Sequence, residues 1–374
     1  MSKLKILLYT GYSNPHWNHN TWNKEGLGGT EFCVIKLAEA FARLGHYVTV
    51  SGDVLEEKAN GVDYIHYNTL GKYQGPINKL IKDKPRAFQH YNMVISTNYI
   101  HYIRVLKDQG ISFDKSYFWL HNTHFYDWYK GKHLHSGGKN YFTHDKMNGI
   151  ICVSKLHEDE MKEKASKAFG YTPLQSNTYI HSIDNAIDPN DWLKYDSNTK
   201  KDTILWTSSP DRGLKVLCDN WDKIRAVRPN MQLNVCCPSY ANDWGKPNMD
   251  QDGINYIGSL CPWDLKTQIC EAEYWIYQSD YFETYCISAV EMMLGKVKLI
   301  SNGAGNIKNI MGNGDRGTII DNNPATIVDT LMRENNDKTF AYKMSNKLNV
   351  AYNWAMTQTW DVRAQQWLLK YTNQ

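Results

Sequence analysis

Two glutamates with seven residues between them, Glu283 and Glu291, stand in Glu283-Thr284-Tyr285-Cys286-Ile287-Ser288-Ala289-Val290-Glu291. The segment follows an apolar run at 274–278, which places Glu283 in the loop before a helix and Glu291 about two turns down it. Carboxylates so placed can accept hydrogen bonds from different hydroxyls of one extended ligand, but stand too far apart to read as an acid/base pair. The loop Ser208-Ser209-Pro210-Asp211-Arg212-Gly213 sets a guanidinium beside a helix start, suited to a two-pronged grip on a diphosphate. His121, in Trp119-Leu120-His121-Asn122-Thr123-His124, emerges directly after a strand and can donate to a phosphate or a sugar hydroxyl. Gly26-Leu27-Gly28-Gly29-Thr30-Glu31 opens a helix, where backbone N–H groups and the helix dipole favour an anion.

Each motif also has a purely structural reading: glycines as a turn, Pro-Asp starting a helix, glutamates on a surface, a histidine in a core. The Gly28 loop is no dinucleotide fingerprint, because GxGxxG belongs directly after the strand, where the chain reads Gly11-Tyr12-Ser13-Asn14-Pro15. His121 and His124, with His133, His135 and His144 nearby, lack the acidic or cysteine partners of a zinc site, so no metal ligand is assigned. Ser301-Asn302-Gly303-Ala304-Gly305-Asn306 can form a floor under a ligand. The basic run Lys79, Lys82, Lys84 and Arg86 reads as a solvated helix face.

Strand and helix patterns alternate in two series, the signature of α/β folds on parallel sheets. The first runs through strands at 5–10, 47–51, 63–67, 93–96, 116–120 and 149–153, with helices at 30–44, ended by Gly45, at 99–109, and at 155–169 behind the N-cap Ser154. The polar stretch 171–191 marks a seam. The second restarts with a strand at 203–207 and a helix at 213–228, then strands at 232–236, 254–258, 274–278, 298–301 and 318–320. The stretch 340–371 reads as helical with a kink near 357–359, since Trp354, Trp360 and Trp367 depart from a heptad spacing.

The chain's 374 residues suit two domains. With 42 basic against 39 acidic side chains and a formal charge of +3, no field demands nucleic acid as partner. Eight cysteines without a CxxC pair read as reduced, buried thiols of a cytosolic protein. The apolar run after Met1 is too short for a signal h-region or membrane span, so contact with a membrane is expected to be peripheral at most. The aromatic load of 13% exceeds what packing demands. Trp17, Trp22, Trp119, Phe125, Tyr126, Trp128 and Tyr129 are expected to offer stacking faces to sugars, and Trp354, Trp360 and Trp367 to anchor a C-terminal helix.

Gly28-Gly29-Thr30-Glu31, the helix end Leu44-Gly45-His46-Tyr47-Val48, His121, Asn185-Ala186-Ile187-Asp188, Pro210-Asp211-Arg212-Gly213 and the Glu283/Glu291 pair occur in one order. In this the chain resembles the retaining GT-B glycosyltransferases of family 4, over nearly its whole length. The resemblance implies two facing Rossmann-like domains, 1–182 on the acceptor side and 183–352 for the nucleotide sugar, a central cleft, and a C-terminal helix, 353–374, crossing back to the first domain. It implies a UDP- or GDP-sugar donor, a glycan or other hydroxyl acceptor, and no required metal or other cofactor. The cysteine usage points to a cytoplasmic location, which is the host's cytoplasm if the frequent Asn, Lys and Tyr mark an A/T-rich viral coding sequence. By resemblance Arg212 binds the diphosphate, Glu291 the ribose hydroxyls and Glu283 the transferred sugar. His121 stands near the sugar and β-phosphate, with Ser209 and the backbone of Tyr285, Cys286 and Ile287 on donor groups, and Gly28 and Gly29 on phosphate or acceptor. Two departures stand out. The family's Arg about five residues before this loop's cation is replaced in the Thr207-Ser208 region, with Lys215 as candidate substitute, and its Pro is absent from Gly295-Lys296-Val297-Lys298. A sugar-nucleotide epimerase and a non-catalytic sugar-nucleotide or glycan binder remain alternatives.

Overall fold

The computed structural model describes residues 2–11, 16–71, 87–97, 101–123, 147–169, 180–238, 241 and 245–373. The basic run at 79–86, His124, His133, His135, His144, Phe125, Tyr126, Trp128 and Tyr129 lie outside the described residues. The chain divides into two compact units. Unit one comprises 1–21, 29–186 and 360–374, and unit two comprises 22–28 and 187–359.

Unit one is built on strands β1 (Lys5–Gly11), β2 (Tyr47–Gly52), β3 (Glu57–Ala59), β4 (Val62–His66), β5 (His90–Thr97), β6 (Ser112–Leu120), β7 (Gly149–Cys152) and β8 (Ile180–Ser182). Their spatial order is β3-β4-β2-β1-β5-β6-β7-β8, and only β3 runs antiparallel to its neighbour. A parallel sheet covered on both faces needs near-continuous apolar strands, and Ile6-Leu7-Leu8-Tyr9 in β1 is buried throughout. The helix Gly29–Arg43 buries Val34, Leu37, Ala38 and Phe41, and Gly45 beyond its end takes φ +89°. Ser154 Oγ accepts from the N–H of His157 at 3.1 Å, capping the helix Lys155–Phe169.

Unit two carries β9 (Lys201–Trp206), β10 (Gln232–Val235), β11 (Ile254–Tyr256), β12 (Ala272–Tyr277), β13 (Lys298–Ser301) and β14 (Thr318–Ile319). All are parallel, in the order β11-β10-β9-β12-β13-β14. The expected single helix at 213–228 is instead two, Leu214–Asp219 and Trp221–Val227. Asn220 breaks it, because its side-chain amide donates to the Val216 carbonyl at 2.9 Å while its own backbone N–H turns to Leu217.

The C-terminal helical stretch splits into Lys338–Met356, in unit two, and Trp360–Asn373, in unit one. Trp360 and Trp367 are fully buried and meet Trp119 edge-on, with ring centroids 6.2 and 5.8 Å apart. Trp119, Trp17 and Trp22 are therefore core side chains, only 1, 1 and 6 % exposed, which corrects the expectation that they offer stacking faces to a sugar. Trp354 is half-buried under the Arg316 guanidinium, 4.3 Å from its ring centroid.

Trp367→Ala deletes a fully buried ring from this cluster. It should destabilise unit one by about 3–5 kcal/mol, read as a lowered urea midpoint by far-ultraviolet circular dichroism.

Candidate functional site

In unit two, β9 and β12 are neighbours whose onward connections lead to opposite sides of the sheet, β9 to β10 and β12 to β13. Ligands of open parallel sheets bind at such a switch point, beyond the carboxyl ends of the strands. Arg212 lies in the loop after β9 and Glu283 in the loop after β12. The fold joins them: Arg212 Nη1 donates to Glu283 Oε1 at 3.1 Å, and the Tyr277 hydroxyl donates to the same oxygen at 2.6 Å. The Arg212 guanidinium also lies 3.9 Å from the Tyr281 ring centroid, a cation–π contact. Burial works against the Arg212 charge, yet Glu283 and the Tyr281 and Tyr277 hydroxyls more than offset it and hold its pKa above the ordinary value. Burial and the Glu283 carboxylate push the Tyr277 phenol well up, so it stays a proton donor.

Two glycines let these loops approach. Gly213 has φ +116°, and a Cβ there would sit 2.3 Å from the Gln278 carbonyl oxygen. Gly305 has φ +57°, and a Cβ there would sit 2.4 Å from the Glu283 carbonyl oxygen. The N–H of Asn306 donates to that same carbonyl at 2.8 Å, so the loop 301–306 packs against the backbone of Glu283. Ser209 is buried at the start of the short turn Pro210–Arg212.

Cys286 holds φ 74° and ψ 76°, a left-handed conformation that costs a non-glycine residue about 1–2 kcal/mol. Its turn delays the helix, which runs Ile287–Leu294 with no side-chain cap at its N-terminus. The first N–H groups of that helix, beside Tyr285, Cys286 and Ile287, therefore have no intrahelical partner. Glu291 is only the fifth helical residue, little more than one turn down rather than about two.

Desolvation pushes the Glu291 carboxyl up to about 7, opposed by the charge of Lys266. Lys266, on the helix Pro262–Glu271, is 7 % exposed, with its ammonium 4.9 Å from the Trp263 ring and 3.5 Å from Asp191 Oδ2. Sequence reasoning missed it, since nothing in a lone lysine on a short helix announces burial. Lys215, the candidate substitute for the absent Arg, is not drawn to Arg212: it is mostly exposed and pairs with Asp219 at 2.5 Å. The Thr207 hydroxyl is buried and has no partner among the described residues.

In unit one, His121 follows β6, with its ring centroid 4.4 Å from that of Trp119. Burial, helped by the neighbouring His157, pushes His121 down to about 3, so it is a neutral imidazole at pH 7. His157 accepts the Val153 N–H at Nδ1 and donates from Nε2 to the Asn122 carbonyl at 3.2 Å, which fixes the backbone next to His121. This second histidine also escaped the sequence reading. Gly28 ends the 22–28 segment of unit two, and Gly29 opens the helix Gly29–Arg43. A Cβ at Gly29 would meet nothing within 4 Å, so the backbone there faces open space.

By sequence the chain matches no protein-family model and no curated protein. Its fold matches solved glycosyltransferases from end to end. Anabaena HepE in complex with UDP-glucose superposes with a TM-score of 0.66 at 14% identity, over 99% of this chain and 100% of that one. Sucrose-phosphate synthase of Thermosynechococcus elongatus gives 0.61 at 13%, covering 99% and 98%. A glycosyltransferase of Rickettsia africae gives 0.62 at 13%, covering 100% and 98%. The chain thus has the GT-B fold, with two Rossmann-like α/β units on parallel sheets.

A carboxyl with a raised pKa binds its proton more tightly folded than unfolded. The Glu291 contribution to stability therefore falls as pH rises from the ordinary value of 4.5 through about 7. Glu291→Gln should be stabilised relative to the parent chain by a margin that grows between pH 5 and 8, measured as the difference in urea midpoints; a constant margin would contradict the assignment.

Proposed function

We propose that the protein is a retaining glycosyltransferase that moves a sugar from a nucleoside-diphosphate sugar to a hydroxyl of a glycan or other acceptor. The observation that carries this reading is the Arg212–Glu283 pair at the switch point of unit two. The ion pair uses one of the five guanidinium N–H donors, leaving the others for diphosphate oxygens. Among the described residues, the bonds from Arg212 and Tyr277 to the Glu283 carboxylate both fall on Oε1, which leaves Oε2 to accept from a hydroxyl of the transferred sugar. Glu291, one turn further on, receives the ribose hydroxyls, and neutral His121 is assigned to the sugar. HepE, crystallised with UDP-glucose and with UDP and glucose, is one structural neighbour that supports this choice of donor class.

Retention needs no protein nucleophile in this scheme. The acceptor hydroxyl attacks carbon 1 of the sugar on the face from which the diphosphate leaves. The sugar–oxygen bond to phosphate breaks with its electron pair, the new glycosidic bond forms, and a phosphate oxygen takes the acceptor's proton. The protein positions the reactants and stabilises the charge gained by the leaving group. Arg212 and the N–H groups at the start of the helix Ile287–Leu294 supply that charge stabilisation, so the scheme requires no metal ion.

A thermal-shift screen of nucleotide sugars tests the donor, because a bound ligand raises the melting temperature by mass action. UDP- or GDP-sugars should stabilise the chain and adenosine should not. Arg212→Ala and Glu291→Ala should each slow transfer at least about tenfold, the loss of one charge-assisted contact. Near-normal turnover in both, with folding verified, would overturn the site.

A further inference from the structure

Outside the Arg212–Glu283 site, His16, Asp53 and His66 of unit one form a second cluster. Asp53 directly follows β2, His66 ends β4, and His16 lies in the connection after β1. All three stand at the carboxyl edge of the unit-one sheet, the edge at which parallel sheets bind ligands. The backbone locks them in register: the Asp53 N–H donates to the Gly11 carbonyl at 2.8 Å, the Trp17 N–H to the Asp53 carbonyl at 3.4 Å, and the Leu55 N–H to the Trp17 carbonyl at 3.0 Å. The Asp53 side chain is only 3 % exposed, while that of His16 is 60 % exposed.

The hydrogen bonds decide the protonation pattern. His66 Nδ1 accepts the N–H of Asn68 at 3.2 Å, so the proton of the neutral ring is on Nε2, which donates to Asp53 Oδ1 at 3.2 Å. His16 Nδ1 contacts the same Oδ1. A buried carboxylate oxygen can only accept there, so the His16 proton is on Nδ1. The neutral form of His16 therefore has its lone pair on Nε2, on a solvent-facing ring. A metal ion held by these side chains would need the Nε2 lone pair of His66 and a proton on its Nδ1, which would then meet the Asn68 N–H. The proton-sharing arrangement fits the cluster better than a metal. The strand ends beside it carry hydroxyl groups without protein partners among the described residues: Thr10 in β1, Ser51 in β2 and Thr97 in β5, all buried.

We propose that His16, oriented by Asp53 and His66, binds the acceptor by accepting a hydrogen bond at Nε2 from a carbohydrate or polyol hydroxyl. The inference rests on the transferase reading and adds to it a binding residue of unit one. The proton of that hydroxyl stays on the acceptor until transfer, so the phosphate route above is unchanged.

The test compares the full chain with His16→Ala and His16→Gln. The exposed ring can be removed with little risk to folding, and the glutamine carbonyl keeps an acceptor near the place of Nε2. UDP-glucose and GDP-mannose binding is measured by calorimetry. Transfer to methyl α-mannopyranoside, methyl β-glucopyranoside and glycerol is followed by nucleoside diphosphate release. His16→Ala should lower kcat/KM for the acceptor about tenfold with donor affinity unchanged, and His16→Gln should recover most of the loss. Unaltered acceptor kinetics, or donor affinity falling in parallel, would overturn the proposal. Activity lost to a chelator and restored by Zn2+ in the parent chain, but not in His16→Ala, would also overturn it in favour of a metal site. A parent chain that binds neither nucleotide sugar and releases no diphosphate fails the transferase reading before any variant is compared, so the two failures are distinct.

Discussion

A carboxylate taken out of water must be matched by charge and hydrogen bonds or it will take up a proton. Glu283 is 6 % exposed, and Arg212 and Tyr277 supply that match on one oxygen. Much of unit two follows from this requirement. Arg212 arrives from the loop after β9, so β9 and β12 must be neighbours. Gly213 and Gly305 must lack side chains for the flanking loops to close around the pair. Tyr281 lies against the guanidinium and adds a cation–π contact to the ion pair.

Glu291 obeys the same rule with the opposite result. Among the described residues it has no ion pair, and the charge of Lys266 does not offset its burial, so desolvation wins and its pKa rises. Two glutamates eight positions apart thus sit in different settings. One has a direct cationic partner, and the other stands at the edge of protonation near neutrality, where a ligand that donates to it can tip the balance.

The fold was legible where periodicity and punctuation agreed. The strand 298–301 and the helix 155–169 have the bounds read from the sequence, because apolar runs end at polar residues and Ser154 caps as its type predicts. The helix at 213–228 was misread because Asn220 is unremarkable in a sequence, and only its bond to Val216 shows the break. The candidate site was legible as residue types and loops. Which groups touch was not: that Arg212 pairs with Glu283, that Lys215 pairs with Asp219 instead, or that Lys266 is buried depends on packing between segments distant in the chain. The tryptophans show the same limit, since a ring that packs Trp119 against Trp360 and one that stacks on a sugar are the same letter.

Unit two is, in chain terms, largely an insertion. Its main part, 187–359, leaves and rejoins unit one at ends that meet, with the Ile187 N–H donating to the Gln358 carbonyl at 3.0 Å and Ile187 bridged to Thr359. Such a segment can be exchanged between relatives as one cassette, since closing its ends requires no new span of chain. The strip 22–28 stands outside that cassette while packing with it: Ser259 Oγ donates to the Glu25 carbonyl, and a Cβ on Gly26 would lie 2.9 Å from the Leu260 carbonyl oxygen. A transplanted cassette would have to match this borrowed strip of seven residues, which lies between two stretches of the first unit in the chain.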